Sequence, residues 1–422
     1  MVAAGFVICL VAACSADTMT STHAPGPPHS QTAVDVPFCS GVEPYWVAFQ
    51  DGDGEWTRAL PVVEGQKIRF RHTFTSDHGA IAAVRVFPGN RLTTLTVQYA
   101  SPDELIIAAD TAAIDCGLAA TRTLLGTITG IDTNGFADVT AGYAAAALVA
   151  PSQPSFSLRG LGPGPQDILA KRVSRVNDAS QVTKVILRRT PDLADGTLLP
   201  TFDFNSAEAF DPVLASATLA GVDLEGAIVT TSLRTAYSQS LLGAFAQPAT
   251  GNRRTIVELP AERLRDGDLQ SATASAVATA DDRRSATIYF RAPNDQTLTF
   301  GAPATVPSFR TIATTPSLRV GAAFDAQADY DRLTSIMYQQ NQTIVSVGMT
   351  SAYASVAPAG YDLIVPDLSQ VAGFDSHWAL RPNDAVFWTS ARIGGSLGLG
   401  VNAQPVPGAT SRSAVRFGTF SP

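Results

Sequence analysis

Short runs of apolar residues spaced two apart, punctuated by Gly, Pro, Asn and Asp, recur along most of the chain and restrict its fold more than any other feature. Ile68, Phe70, His72 and Phe74 alternate with Lys67, Arg69, Arg71 and Thr73, and Leu95, Val97 and Tyr99 alternate with Thr94, Thr96 and Gln98. Successive side chains of a strand point to opposite faces, so such runs predict half-buried strands. Tyr45–Phe49 reads as a strand, Asp51-Gly52-Asp53-Gly54 as a turn and Trp56 as the start of the return strand. Gly and Asp tolerate the positive φ that tight hairpins need. His78 and Gly79 read as a further hairpin turn. Ser285–Phe290 and Thr297–Phe300 read as strands, and Asp331–Met349 as a hairpin turning at Gln339–Gln342. A short helix is expected at Ser206–Phe210 and little else.

At 422 residues the chain is too long for one sandwich and suits three or four domains of about 100 residues. Apolar residues make up 45 %, enough for real cores, whereas charged residues make up only 16 %. Ala, Thr, Ser, Gly and Pro fill that shortfall, which favours strands and turns over surface helices rich in Lys and Glu. The net charge of −8 argues against a nucleic-acid partner, because neutralising phosphate needs clustered positive charge.

Val2–Ala13 is an uninterrupted run of apolar and small residues, too short to span a bilayer but the length of a signal-peptide core. It ends in Leu10-Val11-Ala12-Ala13-Cys14, which resembles a bacterial lipobox. The resemblance implies cleavage before Cys14 and acylation of that cysteine, and so a membrane partner through the N-terminal lipid. The segment departs from the pattern in having no Lys or Arg before the apolar run; the alternative is an ordinary signal peptide with Cys14 incidental. Ser15 follows the cysteine where retained inner-membrane lipoproteins carry Asp, so the analogy implies the outer membrane or cell surface of a bacterium. Residues 15–36 are dominated by polar and turn residues and read as a flexible tether. With Cys9 removed and Cys14 lipidated, Cys39 and Cys116 remain. In an exported protein they are expected to form a disulfide, the alternative being two separate buried thiols.

The expected architecture is all-β: tandem small β-sandwich domains, immunoglobulin-like or transthyretin-like, behind a signal peptide (1–13) and a disordered tether (14–35). Boundaries are drawn at 36–118, 119–191, 192–307 and 308–422. The second domain carries Leu125-Gly126-Thr127-Ile128-Thr129-Gly130, a turn at Asp132–Gly135, the strand Ala137–Ala141, and Gly162-Pro163-Gly164-Pro165-Gln166-Asp167-Ile168-Leu169-Ala170. These residues resemble the carboxypeptidase-regulatory, transthyretin-like sandwich, which implies an accessory module without catalytic residues of its own. A fainter parallel relates Thr255–Leu264 to Tyr361–Leu368, each a strand ending at a proline and followed by an apolar anchor.

Candidate chemistry is sparse. Gly394-Gly395-Ser396-Leu397-Gly398 matches the nucleophile elbow in form, but no histidine follows Ser396 and no helix signal surrounds it. His72, Asp77 and His78 offer too few ligands for zinc, and His72 shares an apolar face. Asp51–Glu55 echoes a calcium loop, yet Leu60 and Pro61 stand where the closing acid belongs. No metal or cofactor is expected. The remaining candidate ligand site is Trp378 with Asp375, His377 and Asp384, since an aromatic face beside acids suits a sugar; the alternative is that Trp378 anchors a core. The expectation is therefore a lipid-anchored envelope protein presenting sandwich modules to an envelope protein or glycan, without catalysis. The alternative is an envelope-polymer hydrolase carrying them as accessories.

Overall fold

The computed structural model describes residues 31–39, 44–64, 67–87, 92–105, 121–142, 145–176, 179–221, 226–245, 251–354, 360–398 and 404–422. The segment read as a signal peptide, Cys14 and Cys116 lie outside the described residues.

The first group of strands is β1 (Thr32–Cys39), β2 (Trp46–Asp51), β3 (Trp56–Ala59), β4 (Val62–Glu64), β5 (Lys67–Phe74), β6 (Gly79–Phe87) and β7 (Leu92–Ala100). The second is β8 (Arg122–Thr129), β9 (Phe136–Ala141), β10 (Ala145–Val149), β11 (Ser155–Leu161), β12 (Gln166–Val176), β13 (Ala179–Thr190) and β14 (Phe202–Asp203). The third is β15 (Val213–Ala220), β16 (Ile228–Arg234), β17 (Gln239–Phe245), β18 (Arg253–Glu258), β19 (Leu269–Thr279), β20 (Asp282–Phe290) and β21 (Gln296–Thr299). The fourth is β22 (Ser308–Ala313), β23 (Arg319–Asp325), β24 (Leu333–Gln340), β25 (Thr343–Thr350), β26 (Gly360–Ile364), β27 (Val386–Gly394) and β28 (Thr410–Phe420).

One connectivity recurs in all four groups. Strand A pairs antiparallel with strand D in one sheet: β1 with β5, β8 with β11, β15 with β18 and β23 with β26. Strands B, C, E and F form the facing sheet in the order C-B-E-F: β3-β2-β6-β7, β10-β9-β12-β13, β17-β16-β19-β20 and β25-β24-β27-β28. In the second and third groups a seventh strand, β14 or β21, runs parallel to the C-terminal end of A. In the fourth, β22 lies antiparallel beside A. The chain is thus all-β, a series of small sandwiches, and the two segments likened in sequence, around Ile256 and Leu363, fall on the equivalent D strands β18 and β26.

The C-B-E-F sheets of the first, third and fourth groups join edge to edge into one twelve-stranded sheet. β7 pairs parallel with β25, from Thr93 opposite Thr343 to Tyr99 opposite Met349, and β20 pairs antiparallel with β28. Each junction satisfies backbone groups that an isolated sheet would leave bare at its edge. The first group's part of this sheet is covered on both faces. Trp46 and Ala48 join a core shared with Val320, Leu363 and Trp388 of the fourth group, while Val47 and Phe49 pack on Val34, Phe70 and Phe74. That is why Trp46-Val47-Ala48-Phe49 is buried throughout rather than alternately. The second group stays outside the long sheet and packs by a face. Leu169, Val173 and Val185 meet Leu233, Leu242 and Val257 of the third group, while Ile168 and Ala170 of the same strand fill their own sandwich.

The structure departs from three sequence expectations. β1 begins at Thr32, inside the stretch read as tether, because Val34 and Val36 are enough to anchor it, at 1 % and 4 % exposure. Ser206–Phe210 is turn rather than helix. Asn205 N–H donates to the Asp203 carboxylate, Ser206 N–H to the Asp203 carbonyl, and Phe210 forms an isolated bridge with Val185 that holds it extended. His78 does not lie in a hairpin, since the connection from β5 to β6 crosses between sheets. Asp51 fixes that crossing by accepting hydrogen bonds from Thr75 N–H and Oγ1 and from Ser76 N–H at 2.6–2.9 Å. Burial pushes the Asp51 carboxyl up, but these bonds outweigh it and hold its pKa at about 2.

Candidate functional site

The residues singled out from sequence divide between core and surface. Asp375 caps a single 3-10 turn, Ser376–Trp378, by accepting the His377 N–H at 2.9 Å. The same carboxylate oxygen lies 2.8 Å from His377 Nδ1. The backbone N–H and then the ring of His377 hold the Asp375 carboxyl below the usual carboxylate range. Both residues are exposed, whereas Trp378 is 9 % exposed and belongs to the core between the first and fourth groups. Its ring meets Tyr45 edge-on at 5.8 Å, Phe374 at 5.5 Å and Trp46 at 6.4 Å. The turn therefore places Trp378 away from the Asp375–His377 pair, and its ring is enclosed by other rings. Asp384 engages through its backbone, where its carbonyl accepts from Gln340 Nε2.

Tyr45 leads from that core to a concave site. It is 73 % exposed and, one ring away from Trp378, lines a cleft of about 270 Å³ at the open end of the first sandwich. β2 contributes Trp46 and Val47, β3 contributes Ala59, β5 contributes Ile68 and Phe70, and Pro44 and Pro61 complete the lining. Leu60, Val62 and Val63, beside Pro61 in sequence, are 70 %, 42 % and 69 % exposed. Arg58 is the one charged residue among those lining the cleft, but it stands opposite Ala48 in the strand register, so its side chain leaves the sheet on the face turned to the fourth group. Its guanidinium lies over Gly373, where a Cβ would stand 2.5 Å from one Arg58 terminal nitrogen. The preceding loop is tied to the cleft wall by Trp46 Nε1, which donates to the Ala372 carbonyl at 3.1 Å. The first group alone lines the cleft, and the fourth group backs the sheet that forms one wall of it. Sequence reasoning missed it because Arg58 reads as an ordinary outward residue of a short strand, and its meeting with Gly373 depends on long-range packing.

The other candidates resolve into structural contacts. His72 stacks on Phe49 at 5.1 Å and meets Phe74 edge-on at 4.6 Å. Burial lowers its pKa, against the pull of Asp51. The Asp51–Gly54 loop spends its first carboxylate on Thr75 and Ser76. Ser396 stands on the turn leaving β27, where its Oγ accepts the Thr410 N–H at 2.9 Å. Among the described residues no group of three or more His, Cys, Asp or Glu side chains is disposed to hold a metal ion, and no helix is long and apolar enough to cross a membrane.

No protein-family model matches the chain, and no curated protein matches it. Among solved structures it is similar to the Bacillus anthracis TIE protein, at 7 % identity and a TM-score of 0.15, over 85 % of this chain and 63 % of that one. The chain thus spans less than two thirds of that structure, and so loose an overlay carries no argument about function.

Proposed function

We propose that this protein is a lipid-anchored component of the bacterial envelope whose fused sandwiches serve as a binding scaffold. The observation that supports it best is the cleft of the first sandwich, which is apolar, opens outward, and is braced from behind by the fourth group through Trp46, Trp378 and the Ala372–Gly373 loop. A concave site lined mostly by apolar side chains is the usual form of a ligand site. A frame joined by a continuous sheet holds such a site at fixed geometry. The anchoring part of the proposal rests on Leu10-Val11-Ala12-Ala13-Cys14.

Fractionation and mass spectrometry of the wild type beside Cys14→Ala test the anchor. The wild type is expected to begin at an acylated Cys14 and to sediment with membranes, and the variant to be soluble. If both are soluble and unmodified, the lipoprotein reading is wrong and a secreted binding protein takes its place.

A further inference from the structure

We infer that the run β16-β19-β20-β28-β27-β24-β25 of the long sheet packs face to face on the same run of a second copy of this chain, through the side turned away from its own cores. This goes beyond the cleft and the anchor and depends on neither. The strand register defines the side. Thr96 of β7 lies level with Ser346, Met337, Thr389 and Phe417 on successive strands. In the other direction the same row passes through Ala83 to Val47, where the sheet β1-β5-β4 covers it. The A and D strands of the third and fourth groups pack on the opposite side, so among the described residues no second layer of strands lies on the run itself. Phe387 on β27 is 39 % exposed there and Val277 on β19 62 %.

Charge selects the occupant. The outward positions of these strands hold no Asp or Glu, and their charges are Arg283 and, at the far margin, Arg234. Surfaces of soluble proteins are usually about a quarter to a third charged. A charged partner would lose hydration here with almost nothing to pair it, so an uncharged surface fits. Each copy carries a net charge of −8, and two copies approach at least cost through a side free of acids. The hydroxyls favour a dry protein surface over a glycan. Ser285 and Ser413 already bond each other at 2.7 Å, and Thr273 and Thr287 at 2.9 Å, so covering them strands neither. Phe387, Phe417, Met337 and Arg283 are of the types that interface centres favour. Seven strands span about 29 Å by at least about 23 Å, roughly 670 Å² in flat projection, close to the ~800 Å² that a standard interface covers on each partner. A twofold axis along the middle strand, β28, matches the seven strands of one copy to those of the other. Arg283, over its own Phe417 ring at 5.6 Å, keeps a partner for its charge inside the pair. Met337 on β24 falls opposite β19, whose outward positions offer nothing to a charge.

The test is sedimentation velocity of the full-length chain carrying Cys14→Ala over the micromolar range, with hydroxyl-radical footprinting of the same samples. A monomer–dimer equilibrium is expected, and oxidation of Met337 and Phe417 should fall as concentration rises while that of Tyr45 stays constant. Raising the salt should tighten the pair, because it screens the repulsion between two acidic copies. Met337→Lys keeps an unbranched side chain but would bury an unpaired charge, and should weaken the pair by about tenfold or more. A chain that stays monomeric overturns the inference, as does a dimer in which Met337 and Phe417 remain equally reactive. So does a folded Met337→Lys that pairs as the wild type does, or a dimer that weakens with salt, which would mark an ion-paired contact elsewhere. It is overturned too if the chain stays monomeric and chitohexaose, a neutral glycan, shields these two side chains instead. Should Met337→Lys fail to fold, the wild-type footprint decides alone.

Discussion

At the scale of single residues, the most exceptional environment belongs to Glu258. It ends β18, is fully buried, and among the described residues one of its carboxylate oxygens has no hydrogen-bond partner while the other accepts the Asn294 N–H at 3.0 Å. Burial raises its pKa to about 7, opposed by the Asn294 bond and reinforced by the charge of Asp295. Folding therefore favours the protonated acid. Between the model value of 4.5 and the folded value of about 7 the native state binds more protons than the unfolded one, so stability falls as pH rises through that window and levels off above it. A shift of this size corresponds to about 3 kcal/mol. Glu258→Gln should flatten this slope and raise Tm at pH 8 more than at pH 5; equal shifts at both values would show that Glu258 is not responsible. Nothing in the sequence marks this residue, because a glutamate in a strand reads as part of the solvent face. The cover comes from the connection between β20 and β21, a contact 36 positions away in the chain. The alternation around Phe70 and Phe74 was legible for the opposite reason, since period-two burial is a local property of a strand.

At the scale of elements, turns that depend on backbone conformation were the easiest to read. The hairpin between β24 and β25 turns at Asn341, with φ of +52°, a conformation that asparagine tolerates better than most residues. Gly126 was readable as a strand glycine but not its reason: a Cβ there would stand 2.3 Å from the Phe156 ring. In the second and third groups the strand that follows F runs beside the C-terminal end of A. In the first group A ends at Cys39, and Cys116 is the cysteine that follows F in sequence, outside the described residues. For a Cys39–Cys116 bond the ground is cysteine number in a chain read as exported. Closing a loop of this length stabilises by about 4 kcal/mol on the chain-entropy view. Peptide mapping without reductant should recover the two cysteines in one linked peptide, and Cys39→Ser should lower Tm. Recovery of both as free thiols would leave the spacing without meaning.

At the scale of the whole molecule, sequence could not reveal that sandwiches far apart in the chain share one sheet, because the junctions β7–β25 and β20–β28 are made by backbone groups that nearly every residue carries. The second group is held differently, and there side chains decide. Arg189 on β13 reaches Asp167 on β12 at 2.7 Å and also pairs with Asp268 of the third group, which in turn accepts the Arg265 N–H at 2.8 Å. The arginine side chain is 13 % exposed and each carboxylate 5 %. Beside this triad, Lys171 pairs with Asp138 at 2.8 Å and donates to the Leu241 carbonyl of the third group. Buried charges of this kind add little net stability over a well-packed apolar replacement, but removing one member strands the others. Arg189→Met should leave two buried acids without their cation and cost roughly 3–5 kcal/mol at this seam. Because the long sheet does not include the second group, that loss should be local, with a separate early transition in calorimetry and faster amide exchange in β12 and β13 than in β24 and β27. Adding Asp167→Asn and Asp268→Asn to Arg189→Met removes every uncompensated charge and should restore much of the loss. If Arg189→Met instead unfolds in one transition at the wild-type temperature, the apolar contacts around Leu169 and Val257 are sufficient and the triad is dispensable. If it lowers the stability of all four groups together, the second sandwich is coupled to the long sheet more tightly than a packed face implies.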